Sequence, residues 1–297
     1  TVYPGCIEEQ CVPIIEKITK FNFNKDFFSD YSPESTNPGD TENTIGKIKK
    51  ITSGSTPEVA DIVNELYKKI ITAGTHKTSS IKAAEASKII ENTQRDVNIA
   101  LMNELSVFLE KIKIKPKEVL DAANTKWNFL PFKPGLVGGY CVGVNSYYLS
   151  YKARQVKYKP KVILAGREIN NKMSTYVTSR LLKLMKEKNI KIKNAKILIM
   201  GLTYKENCTV ISNSGIEKVI KKLKKFNCTI NLYDPFADKE ETKKIYNIYP
   251  HSKLSQNTYD AILISVGHKK FKTMGIKAIS NLCKKNHIIY DFKNLFA

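Results

Sequence analysis

One cysteine stands in a setting that could support covalent chemistry. Cys141 lies in the stretch PGLVGGYCVGVNSYY, where glycine recurs at positions 135, 138, 139 and 143. Glycine lets a backbone turn tightly and lets a ligand approach it closely. A thiol held in such a loop is a candidate nucleophile. A glycine-rich turn is also common before a helix, so the loop by itself leaves a purely structural role open.

The remaining cysteines and the histidines indicate no metal centre. The sequence contains neither a Cys-x-x-Cys pair nor the cysteine and histidine spacing of a zinc site. We expect most of the cysteines to be small core residues and no metal to be bound. Free thiols are typical of reducing compartments, which predicts a cytoplasmic location. The six cysteines are Cys6, Cys11, Cys141, Cys208, Cys228 and Cys283.

The charge balance raises the question of nucleic-acid binding. The 49 Lys and Arg residues exceed the 28 Asp and Glu residues, which gives a formal net charge of +21. However, four of these basic residues are arginine, the side chain whose planar fork reads bases and grips phosphates. No nucleic-acid-binding motif accompanies the lysines. We therefore expect no nucleic-acid partner, while a general attraction for anionic ligands remains.

Length and hydropathy indicate a folded protein without a membrane segment. The 297 residues, 42% of them hydrophobic, suffice for about two domains. No run approaches the roughly 18 apolar residues of a membrane span, and the first residues do not resemble a signal peptide. The chain begins on Thr1, in a stretch typical of the end of a β-strand. We therefore expect further sequence to precede it.

Two long helices are predicted in the middle of the chain, over 78–113 and 160–188. In the first, Val97, Leu101, Leu105 and Phe108 recur at helical spacing. Such helices suit a helical connector or a dimer core. An internal bundle without a partner has the same pattern, and the sequence leaves both alternatives open.

The sequence pattern after Ile190 predicts a parallel sheet. Short apolar strands alternate with helical stretches, the strands being AKILIMG, CTINLYDP, YDAILISVGH and HIIYDFKN. Ligands of such sheets bind at the carboxyl ends of the strands. Neither a Gly-x-Gly-x-x-Gly nor a Walker loop occurs, so no dinucleotide site is evident.

Several strings throughout the chain resemble the nucleotide-sugar 6-dehydrogenases, and in particular their UDP-N-acetylhexosamine branch, typified by Vi-antigen-type polysaccharide synthesis. The strings are TVYPG, YSPE with NPGD, TSGSTPE, AEASKIIENTQRDVNIALMNE, TKWNFLPFKPGLVGG, LAGREIN, MGLTYKENC and YDPFAD. The resemblance implies an α/β fold. Its parts would be a remnant of a first Rossmann domain (1–74), a central long-helix dimerisation domain with the cysteine loop (75–188) and a C-terminal Rossmann-like, UDP-sugar-binding domain (189–297).

The resemblance also implies a reaction. Family members oxidise the C6 alcohol of a UDP-sugar to a carboxylate in two hydride transfers to NAD, through a thioester on a cysteine. Cys141 matches that nucleophile. Lys88 and Asn92 match the lysine and asparagine that hold the C6 oxygen and an ordered water, and Glu34 matches the carboxylate that handles protons during hydrolysis.

Substrate-binding positions carry over in the same way. Arg167 matches an arginine that reaches across the dimer interface to the substrate of the partner copy. Tyr204 and Lys205 match residues of the UDP-sugar domain. Gly138 and Gly139 match the glycines of the cysteine loop. The implied partners are thus a UDP-sugar substrate and a second copy of the chain, with no membrane.

Departures from the family pattern support a second hypothesis. Asn145 replaces the aspartate expected to assist the bound water, and an amide cannot take a proton. Thr209, Val210 and Ser212 replace a proline, an aspartate and an arginine, and the NAD fingerprint is absent. The first interpretation is an NAD-dependent UDP-N-acetylhexosamine 6-dehydrogenase for surface polysaccharide synthesis, present as a partial chain. The alternative is a catalytically silent, dimerising UDP-sugar-binding remnant.

Overall fold

The computed structural model describes residues 1–33, 36, 42 and 44–296. A π-helical turn (Ile7–Cys11) precedes the first helix, and a 3-10 turn (Ile45–Lys47) precedes the first strand. In chain order the helices and strands are α1 (Val12–Thr19), β1 (Lys50–Thr52), α2 (Pro57–Lys68), β2 (Thr75–Lys77), α3 (Ile81–Lys111), α4 (Pro116–Ala123), α5 (Val142–Gln155), α6 (Lys161–Glu187), β3 (Lys196–Met200), α7 (Ile216–Lys225), β4 (Thr229–Tyr233), α8 (Lys239–Tyr246), β5 (Tyr259–Ile264), α9 (Lys269–Ser280) and β6 (Cys283–Asp291).

The chain forms two compact units. The first consists of Thr1–Arg95 and Val144–Leu164, and the second of Asp96–Gly143 and Ala165–Ala297. The boundaries fall inside α3, α5 and α6, so these helices contribute residues to both units.

A small parallel sheet and capped helices organise the first unit. β1 pairs with β2 in parallel, and Thr56 caps the start of α2 by accepting a hydrogen bond from the N–H of Val59. At the start of α3, Ser80 Oγ likewise accepts from the N–H of Ala83 at 3.2 Å. The buried carboxylate of Glu85 accepts from the N–H groups of Gly5 and Ile7, and this fixes the start of the chain on α3.

A four-stranded parallel sheet forms the centre of the second unit. Its strand order is β4-β3-β5-β6. The chain therefore leaves β3 toward one edge and returns to the other side of β3, which creates a switch point between β3 and β5. In open α/β sheets ligands bind in the crevice outside the strand ends at such a point.

Helices cover both faces of this sheet. Successive side chains of a strand point to opposite faces. Ile197 and Ile199 of β3 pack with residues of α6 and α7, whereas Leu198 and Met200 pack with Phe271 of α9. Burial on both faces explains why the strand is apolar at consecutive positions instead of alternating with polar residues.

The α/β fold with a parallel C-terminal sheet, predicted from the sequence, is confirmed. The three-domain division at 74 and 188 stays a prediction, beside the two units that the structure forms. In the described part of the chain, no helix is both long and apolar enough to cross a membrane.

Candidate active site

The cysteine loop ends immediately before α5. Cys141 is exposed, one residue ahead of the helix. Gly139 has a φ of +79°, in the left-handed region that favours glycine, and its N–H donates to the carbonyl of Asn213 at 2.9 Å. The thiol thus follows a backbone turn that is fixed to another segment of the second unit.

The loop lies against the residues that follow β3. A Cβ atom on Gly138 would come within 2.6 Å of the Asn213 carbonyl oxygen, and one on Gly139 within 3.1 Å of the Tyr204 ring. These two positions therefore have no room for a larger side chain. The structure brings together three of the predicted substrate-binding residues, Gly138, Gly139 and Tyr204, in the same unit as Cys141.

A pocket opens at the carboxyl ends of β3, β5 and β6. This is the switch point of the sheet, where the fold places ligands. Lys205 and Lys293 bring two ammonium groups to its wall. The polar residues of the lining are Thr203, Tyr204, Lys205, Glu206, Ser214, Ser265 and Lys293.

Lys293 was not among the predicted site residues. Its side chain is 18% exposed, donates to the carbonyl of Pro134 at 3.3 Å and lies 3.8 Å from Oε1 of Glu206. Burial lowers the pKa of Lys293 below its ordinary value, because the charged form loses solvation. Its place two residues after β6 is the signal that could have identified it, since ligands bind at the ends of parallel strands.

Three predicted catalytic residues belong to the first unit. Lys88 and Asn92 are four residues apart on α3, so they share one face of the helix. The Lys88 side chain is 11% exposed and its Nζ lies 3.7 Å from Oε2 of Glu91. Asn92 and Asn145 are buried, and the described residues offer neither of their Nδ2 atoms a hydrogen-bond acceptor. Buried amide donors without protein partners are typical of sites that bind water or a ligand oxygen.

Arg167 is buried in the second unit. Its Nη1 donates to Oδ1 of Asp96 at 2.7 Å and its Nη2 to Oδ1 of Asn171 at 2.9 Å. Asn170 also donates to Asp96, at 2.7 Å. The predicted role of Arg167 toward a partner copy stays a prediction. Within this chain it neutralises a fully buried carboxylate.

The predicted proton-handling residue, Glu34, lies outside the described residues. The described residues of the first unit also contain no Gly-x-Gly-x-x-Gly loop that could hold a dinucleotide. In the polar loop after β1, Ser53 Oγ exchanges hydrogen bonds with the backbone of Tyr31, and Ser55 Oγ accepts from the N–H of Ser29. Ser53 donates its hydroxyl proton to the Tyr31 carbonyl, so this hydroxyl has no proton left for a phosphate of NAD.

Comparison with known proteins identifies the family of the chain. Residues 82–172 match the central domain, and 198–297 the UDP binding domain, of the UDP-glucose/GDP-mannose dehydrogenase family. The chain is 50% identical to the UDP-N-acetyl-D-glucosamine 6-dehydrogenases of Pseudomonas aeruginosa, over 295 residues, and of Salmonella typhi, over 293 residues. Each alignment covers 99% of this chain, and 70% and 69% of those two proteins.

A solved structure gives the same result. The UDP-D-ManNAc dehydrogenase of Pyrococcus horikoshii superposes with a TM-score of 0.88 at 27% identity, over 100% of this chain and 68% of that one. The chain therefore belongs to the UDP-glucose/GDP-mannose dehydrogenase family, whose members are oxidoreductases that act on nucleotide sugars.

Proposed function

We propose that this chain takes part in the NAD-dependent, four-electron oxidation of a UDP-N-acetylhexosamine at C6, which yields the UDP-hexuronic acid for surface polysaccharide synthesis. The substrate is UDP-N-acetylglucosamine or UDP-N-acetylgalactosamine. The observation that carries the proposal is the pocket at the ends of β3, β5 and β6. Gly135 and Leu136 of the Cys141 loop line it, and its other lining residues lie in the segment that matches a UDP binding domain.

The charges that line the pocket suit a diphosphate group. Lys205 and Lys293 supply two cations for the diphosphate. Both Tyr204 and Lys293 lie against the cysteine loop: a Cβ atom on Gly139 would come within 3.1 Å of the Tyr204 ring, and one on Gly135 within 3.6 Å of the Lys293 ammonium. A UDP-sugar that places its diphosphate on the lysines would direct its sugar toward that loop.

Cys141 would act on the sugar. Its thiolate adds to the C6 aldehyde to form a thiohemiacetal, and it leaves when water cleaves the later thioester to the carboxylate. Lys88 would stabilise the developing oxyanion at C6, a role worth roughly 3–4 kcal/mol for such groups. The unpartnered amides of Asn92 and Asn145 fit an ordered water or the C6 oxygen, and Glu34 would accept a proton from that water.

NAD is proposed as the cofactor because the resemblance to the family implies it. When bound, it would accept the two hydrides. The described residues contain no Gly-x-Gly-x-x-Gly loop that could hold it. The residues assigned here therefore act on the UDP-sugar, the thiol and water only.

One observation favours a second function, that of a UDP-sugar-binding protein without catalytic activity. Asn145 is 1% exposed and carries an amide where the family pattern has a carboxylate. An amide cannot take a proton from water, so thioester hydrolysis loses its usual assistance. In this alternative the chain binds a UDP-sugar and dimerises without turnover.

Calorimetric titration with UDP and UDP-N-acetylglucosamine tests the binding that both functions share. Lys205→Ala and Lys293→Ala should each weaken binding by about tenfold, since each removes a charge-assisted contact to the diphosphate. Lys225→Ala, an exposed lysine at the end of α7, is the matched control and should leave the affinity unchanged. Absence of UDP binding in the unaltered chain, or equal affinity in all variants, would refute the proposed site.

A further inference from the structure

A buried histidine-carboxylate pair lies beside the pocket, and the chemistry proposed above does not use it. His268 directly precedes α9, and Asp234 directly follows β4. Both side chains are fully buried, and His268 Nε2 lies 3.0 Å from Oδ2 of Asp234. Burying such groups is costly unless they satisfy specific hydrogen bonds.

The hydrogen bonds of the imidazole define its tautomer. The backbone N–H of Asn207 donates to Nδ1 of His268 at 3.0 Å. Nδ1 is therefore unprotonated, and the ring carries its proton on Nε2, which donates to Asp234. Phe236 and Phe271 flank the imidazole, with ring centroids 5.0 and 5.1 Å away, and their apolar rings keep water from this side chain.

Asp234 organises the start of the loop that follows β3. Its Oδ2 accepts from the N–H groups of Leu202 at 2.6 Å and Thr203 at 3.2 Å, and its Oδ1 accepts from Phe236 at 2.8 Å. Burial alone would raise the pKa of Asp234, but the hydrogen bonds from His268 and from these N–H groups outweigh burial and lower it. The carboxylate is thus ionised and holds the first residues of the loop.

His268 holds the other end of the same loop. Besides the bond to Nδ1, the side chain of Asn207 accepts from the N–H of Lys269 at 3.0 Å, so Asn207 is attached twice to the start of α9. Between the two ends, the hydroxyl of Thr203 donates to the carbonyl of Lys205 at 2.8 Å. Tyr204 and Lys205, which line the pocket, stand in the segment that is fixed in this way.

We infer that His268 is a positioning residue for UDP-sugar binding: with Asp234 it fixes the loop 203–207, so that Tyr204 and Lys205 face the diphosphate. This inference rests on the proposed binding of UDP to the pocket. The acceptor bond from His268 Nδ1 to the Asn207 N–H is its essential contact, because that bond holds the far end of the loop.

Two substitutions separate this contact from simple packing. The side-chain oxygen of asparagine can occupy the place of Nδ1, whereas the amide nitrogen of glutamine occupies the place of Nε2. His268→Asn therefore keeps the acceptor for Asn207, and His268→Gln loses it. In calorimetric titration with UDP, His268→Gln should weaken binding by about tenfold and His268→Asn by less than about threefold.

His251→Gln is the matched control. His251 lies in the same unit, is exposed, and hydrogen-bonds Asn231 at 2.9 Å through Nε2. Its substitution should leave the UDP affinity unchanged. If His268→Asn and His268→Gln lose affinity equally, or if neither loses any, His268 does not position the loop through Asn207 and the inference is overturned.

Hydrogen-deuterium exchange separates this inference from the proposed function, because it needs no ligand. Exchange over 203–207 should be faster in His268→Gln than in His268→Asn, even if the unaltered protein fails to bind UDP. Equal exchange in the two variants would overturn the inference. If either variant fails to fold, the nitrogen spectrum of the histidines in the unaltered protein decides: His268 must appear as the neutral Nε2–H tautomer, and any other form refutes the arrangement.

Discussion

The ammonium group of Lys293 is largely enclosed at the end of β6. The carbonyl of Pro134 and the carboxylate of Glu206 are its neighbours, and burial lowers its pKa. A bound diphosphate would place negative charge beside this ammonium group, which is poorly solvated, and would thereby stabilise its charged form. At the scale of single residues, we therefore expect ligand binding to favour the charged form of Lys293.

This lowered pKa makes UDP-sugar binding dependent on pH. Diphosphate binding favours the protonated lysine, so affinity is highest below the pKa of Lys293 and falls as the pH rises through it. Because the pKa is lowered, the fall should begin at a lower pH than for an exposed lysine. Calorimetric titrations at increasing pH measure the fall in UDP-sugar affinity. In Lys293→Arg the side chain stays charged, so the part of the fall that is due to residue 293 should disappear. The same fall in Lys293→Arg would contradict the assignment.

Asn145 sets a second expectation for a single residue. If the chain is joined behind a dinucleotide-binding domain, we expect a burst of NADH from NAD and UDP-N-acetylglucosamine, followed by a slow phase. The slow phase reflects a thioester whose hydrolysis lacks a proton acceptor. Asn145→Asp should speed the slow phase, as measured by stopped-flow absorbance. A fusion that is silent even in the first turnover would mean that the cysteine loop no longer supports the reaction.

Single residues could be predicted from the sequence where a motif surrounds them or where they follow a predicted strand. Cys141 is recognisable from its glycines, and Tyr204 from the string that follows β3. The pocket lysine at position 293 has no motif, because its importance comes from packing against Pro134 and Glu206, which are far away in the sequence. Asp234 and His268 both lie at the ends of predicted strands, where ligands are expected, but the sequence does not predict their hydrogen bond, since 34 residues separate the partners.

Helices and strands followed more directly from the sequence. The expected long helices over 78–113 and 160–188 are α3 and α6, because their apolar periodicity extends over many turns. The expected strands after Ile190 are β3, β4, β5 and β6. The π-helical turn (Ile7–Cys11) was not expected, since one additional residue per turn leaves no periodic trace in five residues.

A buried polar network joins α3 to α6 within the second unit. Asp96 receives hydrogen bonds from Arg167 and Asn170, and Asn103 donates to Asn170 at 2.8 Å. All four side chains are buried. Such a network specifies which residues of the two helices face each other, because any shift would leave a buried group without its partner.

Arg167→Ala should therefore destabilise the fold. It leaves the Asp96 carboxylate buried without its cation, which costs on the order of 3–5 kcal/mol in comparable pairs. Lys172→Ala, which removes the exposed ion pair with Glu168 on the same helix, is the control and should cost less than about 1 kcal/mol. Chemical denaturation measures both. An Arg167→Ala variant as stable as the unaltered protein would show that Arg167 has no stabilising role within its own chain and would favour its predicted role toward a partner copy.

At the scale of the whole molecule, we expect two copies to associate through their long helices. Leu101 and Phe108 are 48% and 54% exposed on α3, and their spacing of seven places them on one face. Exposed apolar side chains aligned on a helix are typical of association surfaces.

Light scattering tests this association. The unaltered chain should have the mass of a dimer, and the double variant Leu101→Glu/Phe108→Glu should have the mass of a monomer, because each copy would bury two charges in the interface. Ile62→Glu, at a 69% exposed position of α2, should remain dimeric. If the unaltered chain is a monomer at micromolar concentration, the predicted association is wrong.

The central claim is that a UDP-sugar binds the pocket with its C6 directed at Cys141, and alkylation of single cysteines tests it most directly. Cys141 and Cys11 are both exposed, so iodoacetamide should modify both in the free protein. We predict that saturating UDP-N-acetylglucosamine slows modification of Cys141 and leaves Cys11 unaffected, and that Lys205→Ala needs about tenfold more of the nucleotide sugar for the same protection. Peptide mass spectrometry measures each rate. Equal modification of Cys141 with and without the nucleotide sugar would contradict the account.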